Sequence, residues 1–362
     1  MKNEINNKLE TLIKGFLPVL YQEDDPDYVS GKFAPGIEGR EKYRYWEWTQ
    51  GVGLFGLWKL FEKTNDKKYL DMLTSYYDER IKQGLPGKNV NTMAPILTLE
   101  YLGEYLKRED YLDIAREWTA WLYNGGLPRT PEGGFQHRTT DDFNDGELWD
   151  DTLMMSVLPL ANMGRIDGRK EYIEESIYQF LLHIEQLADP ITGLWYHGYS
   201  YKRKDHFAGA YWGRGNSWAT IALPLFDEIV SLSPGLKKYL STVLTRQVEA
   251  ISRLQDGSGL WHTLLDKEDS YLESSCTAGF GYGILLGIKL SMLDPKYTAV
   301  AEKALPAVME QIDDNGILQL CSYGTPMGRE SQDWYKEIPI HPMPYGQAMA
   351  MLFLIEALDD NL

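Results

Sequence analysis

The sequence predicts an all-α protein, a barrel of six inner and six outer helices of the (α/α)6 kind. Three observations predict it. Apolar residues recur at helical spacing through most of the 362 residues, while the alternating pattern of strands is scarce. The helical segments fall into two sets, one with a charged face and one apolar nearly all round. The two sets alternate along the chain, with inner heads recurring roughly every 60 residues, the mark of an internal repeat.

The first set, each with one face toward water, lies near 4–20, 67–84, 108–123, 169–187, 236–254 and 295–313. Tyr172-Ile173-Glu174-Glu175-Ser176-Ile177-Tyr178-Gln179-Phe180-Leu181 is typical. The second set begins with Gln50 to Leu57 and Met93 to Leu99, and continues through Asp151 to Leu160, Asn216 to Phe226, Thr277 to Ile288 and Gly346 to Ile355. A helix with no polar face must be enclosed by other helices, so these form the inner ring. Leu158-Pro159-Leu160 and Leu223-Pro224-Leu225 stand at the same distance after Asp151 and Asn216, as a repeat requires. Pro95, Pro159 and Pro224 are expected to kink their helices or to mark a first turn. The whole of residues 1–362 is read as one such domain, with an open solenoid as the competing arrangement.

Loop lengths place the function. Links from an inner helix to the next outer one are short, such as Thr64-Asn65-Asp66 and Gly164 to Gly168. Most links in the other direction are long, about 22–46, 124–148, 188–215, 255–275 and 314–343. In a barrel these all lie at one end, over the N-termini of the inner helices. Long loops on a rigid scaffold carry sites, and helix N-termini favour anions.

Composition excludes several classes. A net charge of −17 leaves no surplus of Lys and Arg to meet phosphates, which argues against nucleic acid and anionic membranes. No stretch of about 18 uncharged apolar residues is present, so no membrane span is expected. The first residues lack the apolar run of a secretory signal, and Cys276 and Cys321 are too few for a disulfide scaffold, so the expected compartment is the cytoplasm. Aromatics reach 13%, more than packing alone accounts for, and such rings suit stacking on sugars.

At the loop-bearing end the acidic stretch 141–151 stands out. Asp141, Asp142, Asp145 and Glu147 read as a solvated loop. Asp150 reads as a helix cap accepting from first-turn amides. Asp151 shares a face with Leu148, Met154, Met155 and Leu158, so burial should raise its carboxyl pKa and suit it to donate a proton. The six histidines are scattered without H-x-H or H-E-x-x-H spacing, so no zinc site is expected. His137 and His197 follow aromatics in long loops and are site candidates, whereas His183 lies in an outer helix and reads as structural. Arg214, between two glycines and close to Trp212 and Trp218, has the setting to clamp a carboxylate bidentately, or to stack on tryptophan as a structural residue.

Several stretches along the chain together resemble one family. They are Trp46-Glu47-Trp48-Thr49-Gln50-Gly51-Val52-Gly53, Gly134-Phe135-Gln136-His137 and Trp149-Asp150-Asp151-Thr152-Leu153-Met154-Met155. Then come Gly193-Leu194-Trp195-Tyr196-His197-Gly198, Trp212-Gly213-Arg214-Gly215-Asn216-Ser217-Trp218, Tyr271 to Ala278, and Pro344-Tyr345-Gly346-Gln347. With these the chain resembles the unsaturated glycuronyl hydrolases, and within them the unsaturated rhamnogalacturonyl hydrolases of glycoside hydrolase family 105. The resemblance implies an (α/α)6 barrel and makes Asp151 the catalytic residue of a W-x-D-T-L motif. It implies that His197, Trp212, Arg214 and Trp218 meet an unsaturated uronate, to which Trp46, His137 and Asn91 are added as substrate-binding candidates. Asn91 stands where related enzymes often carry a second acid. The implied substrate is a small anionic oligosaccharide with a C4=C5 double bond in its terminal uronate, galacturonate before glucuronate, and the implied chemistry needs no cofactor and no metal. A family 88 glucuronyl hydrolase is the near alternative. A sugar 2-epimerase, which on this barrel relies on paired histidines, and a non-catalytic sugar-binding barrel are the remoter ones.

Overall fold

The structure, a computed structural model, describes residues 2–21 and 44–359. Of the loop expected over 22–46, residues 22–43 lie outside the described residues. Among the described residues the inner helices are α2 (Trp48–Thr64), α4 (Val90–Leu106), α6, α8 (Gly213–Val230), α10 (Ser274–Lys289) and α12 (Pro344–Ala357). The outer ones are α1 (Lys2–Tyr21), α3 (Lys67–Gln83), α5 (Glu109–Trp121), α7 (Lys170–Leu187), α9 (Pro234–Arg253) and α11 (Thr298–Glu310). Each inner helix packs on the next, and α12 packs on α2, so the ring closes and the open solenoid is set aside. The outer helices sit one against each inner helix, α1 returning to α12.

The burial pattern explains the two layers. In α12 every residue but Glu356 is buried, which only enclosure on all sides provides. In α7 the buried side chains Tyr172, Ser176, Gln179, Phe180, His183 and Leu187 form one stripe, and the opposite face stays in water. Inner helices approach closely where side chains are small: a Cβ on Gly283 would lie 2.5 Å from the carbonyl oxygen of Thr220, so α8 and α10 could not meet with alanine there. Short links are closed by caps. Asn65 ends α2 in the left-handed region, and Asp66 accepts from the amide of Lys68 to begin α3. Asn89 and Thr92 form a reciprocal capping box at the head of α4.

Helix α6 departs from the regular helix expected from Asp151 onward. It opens with a wide π turn, Leu153–Val157, before the α-helical part Leu158–Asp167. The amide of Leu158 reaches back to the carbonyl of Leu153, and Pro159, next in line, has no amide to continue a tight ladder. Asp150 and Asp151 therefore sit on a turn ahead of this opening.

Two short antiparallel pairings tie the long loops together. Strand β1 (Glu147–Trp149) runs antiparallel to β2 (Gly198–Ser200), with Trp149 opposite Gly198. Strand β3 (Trp261–His262) pairs with β4 (Leu272–Glu273). Runs of two or three residues are too short to show alternation in a sequence. Glu147 is not the solvated residue expected. It is buried, takes the indole N–H of Trp149 at 3.0 Å, and is ion-paired with Arg329 of the loop 314–343.

Candidate active site

The β1–β2 pairing brings the chain just before α6 against the loop that precedes α8. The amide of Asp150 donates to the carbonyl of His197 at 3.0 Å. One carboxylate oxygen each from Asp150 and Asp151 and a ring nitrogen of His197 then lie within 4.8 Å of one another. Two carboxylates and an imidazole are a donor set that a divalent cation can use, yet the same set serves proton transfer.

His197 is neutral, because burial first, then His137 and Arg214, holds its pKa well below the usual 6.5. Its tautomer follows from its partners. The Tyr335 hydroxyl accepts from the amide of Gly328 at 3.1 Å and has one hydrogen left to give. His197 Nδ1 lies 2.6 Å away, against 3.6 Å for the Met327 sulfur, so the hydrogen goes to Nδ1. Nε2 then carries the ring hydrogen, and this buried atom has no protein partner. With Nδ1 taken by Tyr335, Nε2 is the ring nitrogen left free to donate.

Asp151 is half-buried at the cluster, with Oδ1 unpartnered. Burial pushes its carboxyl up to about 6, opposed by its own amide, by Asp150 and by the charge of Arg214. An acid near 6 is poised to give up a proton around neutrality. Asp150 is not the helix cap expected of it. It is fully buried and neither carboxylate oxygen has a hydrogen-bond partner.

Trp149 carries His137 stacked on one side at 4.2 Å and His197 edge-on at 5.2 Å. His137 Nδ1 is 2.8 Å from the Thr152 hydroxyl, and burial lowers its pKa to about 3, so it too is neutral. Trp212 lies against His197 at 4.3 Å.

Arg214, in the first turn of α8, is buried with its guanidinium over the rings of Trp212 at 4.6 Å and Tyr345 at 4.7 Å. Its terminal nitrogens donate to the backbone oxygen and hydroxyl of Ser322, to the Tyr323 carbonyl at 3.1 Å and to the Thr325 hydroxyl at 2.8 Å. Only Nε lacks a protein partner. The bidentate clamp expected from the sequence is therefore corrected: the fork is spent on the loop 314–343, and what reaches the site is charge. Trp218 presents an unpartnered indole N–H, with its ring edge-on to Trp48 at 6.3 Å, and Trp48 stacks on Tyr345 at 4.6 Å.

Trp46 does not join this wall. Its indole donates to the carbonyl of Thr92 at 3.1 Å and its ring packs on Tyr77 and Trp118 between the two helical layers. Trp48, two residues on and at the start of α2, takes the place expected of Trp46; an irregular segment leading into a helix has no period from which to choose between them. Trp46→Phe is expected to cost about 1–2 kcal/mol of stability with KM unchanged, as for one lost buried hydrogen bond. Trp48→Ala is expected to raise KM about tenfold through lost ring contact. Melting curves beside Michaelis plots check both.

Asn91 lies half-buried in the first turn of α4, its side chain hydrogen-bonded to Glu47. Glu47 also takes the Thr140 hydroxyl at 2.6 Å, and burial holds its carboxyl up to about 7. An acid thus stands beside the head of α4 after all, supplied by the residue before α2. Local sequence around Asn91 contains no sign of it. Tyr335 was likewise invisible as a site residue, since only the folded loop 314–343 brings it to His197, whereas Tyr345, part of the resembling stretch 344–347, meets Arg214 from the first turn of α12.

Comparison with known proteins gives the family. Residues 32–360 match the profile of Glycosyl Hydrolase Family 88. The chain is 33% identical over 316 residues to the unsaturated rhamnogalacturonyl hydrolase YesR of Bacillus subtilis (strain 168), covering 86% of this chain and 90% of that protein. A crystal structure of a possible family 105 member from Salmonella enterica serovar Paratyphi A superposes with a TM-score of 0.93 at 42% identity, over 100% of this chain and 95% of that one. The unsaturated glucuronyl hydrolase of Bacillus sp. GL1 shares the fold, with a TM-score of 0.72 at 17% identity over 99% and 97% of the two chains. The chain belongs to glycosyl hydrolase family 88, on the side of it where the family 105 unsaturated rhamnogalacturonyl hydrolases stand, and it is a glycosidase.

Proposed function

We propose that this glycosidase removes a 4,5-unsaturated galacturonate from the non-reducing end of short rhamnogalacturonan fragments, with Asp151 as the proton donor. The observation that carries the reading is a half-buried carboxyl with a pKa of about 6 beside a neutral imidazole N–H, a buried guanidinium and an aromatic wall. The relative named above as a rhamnogalacturonyl hydrolase supports the choice of sugar.

The C4=C5 bond of such a sugar is a vinyl ether through the ring oxygen. Asp151 gives its proton to C4, and the positive charge that develops at C5 is shared with that oxygen. Water adds at C5 and returns a proton to Asp151. The resulting hemiketal opens, and the aglycone leaves from C1. This route needs one acid, unlike the two carboxylates that flank the bond in ordinary glycosidases. The charge of Arg214 offsets the uronate carboxylate, Trp48 and Trp218 hold the ring face, and His197 Nε2–H orients the carboxyl of Asp151 or the incoming water. His137 fixes Trp149 and Thr152 behind it. No described helix is long and apolar enough to cross a membrane.

The deciding experiment follows loss of the ultraviolet absorbance of the conjugated enoate. It uses a panel of unsaturated disaccharides that differ in uronate and aglycone. Consumption of the galacturonyl-rhamnose member well ahead of the glucuronyl ones is expected; the opposite order makes the enzyme a glucuronyl hydrolase, and binding without loss of absorbance makes it a sugar-binding barrel. The pH dependence is fixed in sign. The donor works only while protonated, so kcat/KM should be level below about 6 and fall tenfold per pH unit above it. A rate that rises through that range would remove Asp151 from the donor's role.

A further inference from the structure

We propose that Asp150 is a positioning residue that keeps its own proton through the working pH range and, with His197, holds Asp151 in the orientation from which it protonates the substrate. This rests on the reading of Asp151 as the donor. Adjacent residues on a regular helix do not face each other, but these two lie on the turn before the π opening of α6, and that turn brings both carboxyls to one place.

The setting of Asp150 is what calls for a proton. The residue is 0% exposed and both oxygens lack a hydrogen-bond partner. An ionised carboxylate so placed costs several kcal/mol unless it is paired. The groups that face it do not pair it. Asp151 is acidic, His197 is neutral and Tyr335 is a phenol committed to His197. From α8, Arg214 has its fork bound by the loop 314–343. The first turn of α8 is close, since a Cβ on Gly215 would stand 2.2 Å from Asp150 Oδ2, and its positive end favours a negative charge. No amide of that turn donates to Asp150, so this attraction does not match the burial and the neighbouring acid. Burial first, then the charge of Asp151, holds the Asp150 carboxyl well above its usual range.

A neutral Asp150 is a donor aimed at Asp151. The backbone bond from its amide to His197 and the contact with Gly215 fix it in place. When Asp151 gives its proton to C4, the new carboxylate meets two ready donors, Asp150 O–H and His197 Nε2–H. When water adds at C5 and yields its proton, Asp151 is restored and Asp150 has never lost its own.

The test compares Asp150→Asn and Asp150→Ala with Asp151→Asn by pH–rate profile, by separate kcat and KM, and by infrared difference spectra of the carboxyl stretch. Asparagine keeps a neutral donor of the same size, so kcat should fall by no more than about tenfold with the alkaline limb in place. Alanine removes the donor; kcat should fall about a hundredfold, KM should move little, and the limb should shift upward because the charged form of Asp151 has lost a hydrogen bond. A role in packing alone would lower the melting temperature without moving the limb, and that result overturns the proposal. At about pH 7, where an ordinary aspartate is fully ionised, the wild-type spectrum minus that of Asp150→Asn should contain a protonated-carboxyl band, beyond the band that Glu47 gives to both. Absence of that band from the difference spectrum also overturns it, and this readout decides even if the alanine variant does not fold. If Asp150→Asn is as inactive as Asp151→Asn, Asp150 is itself a reacting group. If Asp151→Asn turns over normally, the donor assignment fails instead.

Discussion

Asp151→Asn is expected to lower kcat about a thousandfold or more while the protein stays folded, because a general acid contributes roughly 10²–10⁴ and an amide has no proton to transfer near neutrality. The fold should not suffer. The amide has the shape of the protonated carboxyl, and replacing a carboxyl that burial already pushes up to about 6 removes a charge that the site holds at a cost. Loss of enoate absorbance under saturating substrate, beside a thermal melt, checks both halves. KM should change little, since the side chain keeps its volume and one donor. Near-normal turnover would end the assignment of Asp151 as the acid.

Arg214→Ala is expected to lower stability by about 3–5 kcal/mol as well as weakening substrate binding, the scale seen when one member of a buried charged network is removed. Truncation takes a charged donor from the oxygens of Ser322, Tyr323 and Thr325. It also strips a positive charge from the neighbourhood of buried Glu273, which takes the amides of Cys276 and Ser322. The gap between Trp212 and Tyr345 adds a cavity cost. Arg214→Lys should recover only part of this, since a single ammonium cannot span three acceptors. Denaturant melts and KM measured on the same samples check the prediction. Normal stability with a raised KM would return Arg214 to the role of a free clamp on the sugar carboxylate, the role its glycine-flanked position suggested.

These two residues show how far the sequence reaches. Both were legible as site residues, Asp151 because an acid opens an otherwise apolar helix and Arg214 because glycines and tryptophans surround it. The use of Arg214 was not legible, because its acceptors lie more than 100 positions away in the loop 314–343. Trp46 and Trp48 were separated only by the fold, one enclosed between helical layers and the other open to the aromatic wall. Asp150 looked like a cap because capping is a local relation that sequence can express; its burial against Gly215 of α8 is not local.

The sequence by itself determined the two classes of helix, their alternation and the crowding of long loops at one end, because amphipathic period and loop length are properties of neighbouring residues. It also marked Asp151, His197, Trp212 and Trp218 as members of one motif set. Closure of the ring between α12 and α2, the β1–β2 register that sets Asp150 beside His197, and the tautomer imposed by Tyr335 were decided only in three dimensions. Each joins segments far apart in the chain. The protonation states follow from that joining, since the burial and neighbouring charges that move a pKa exist only once the barrel has formed.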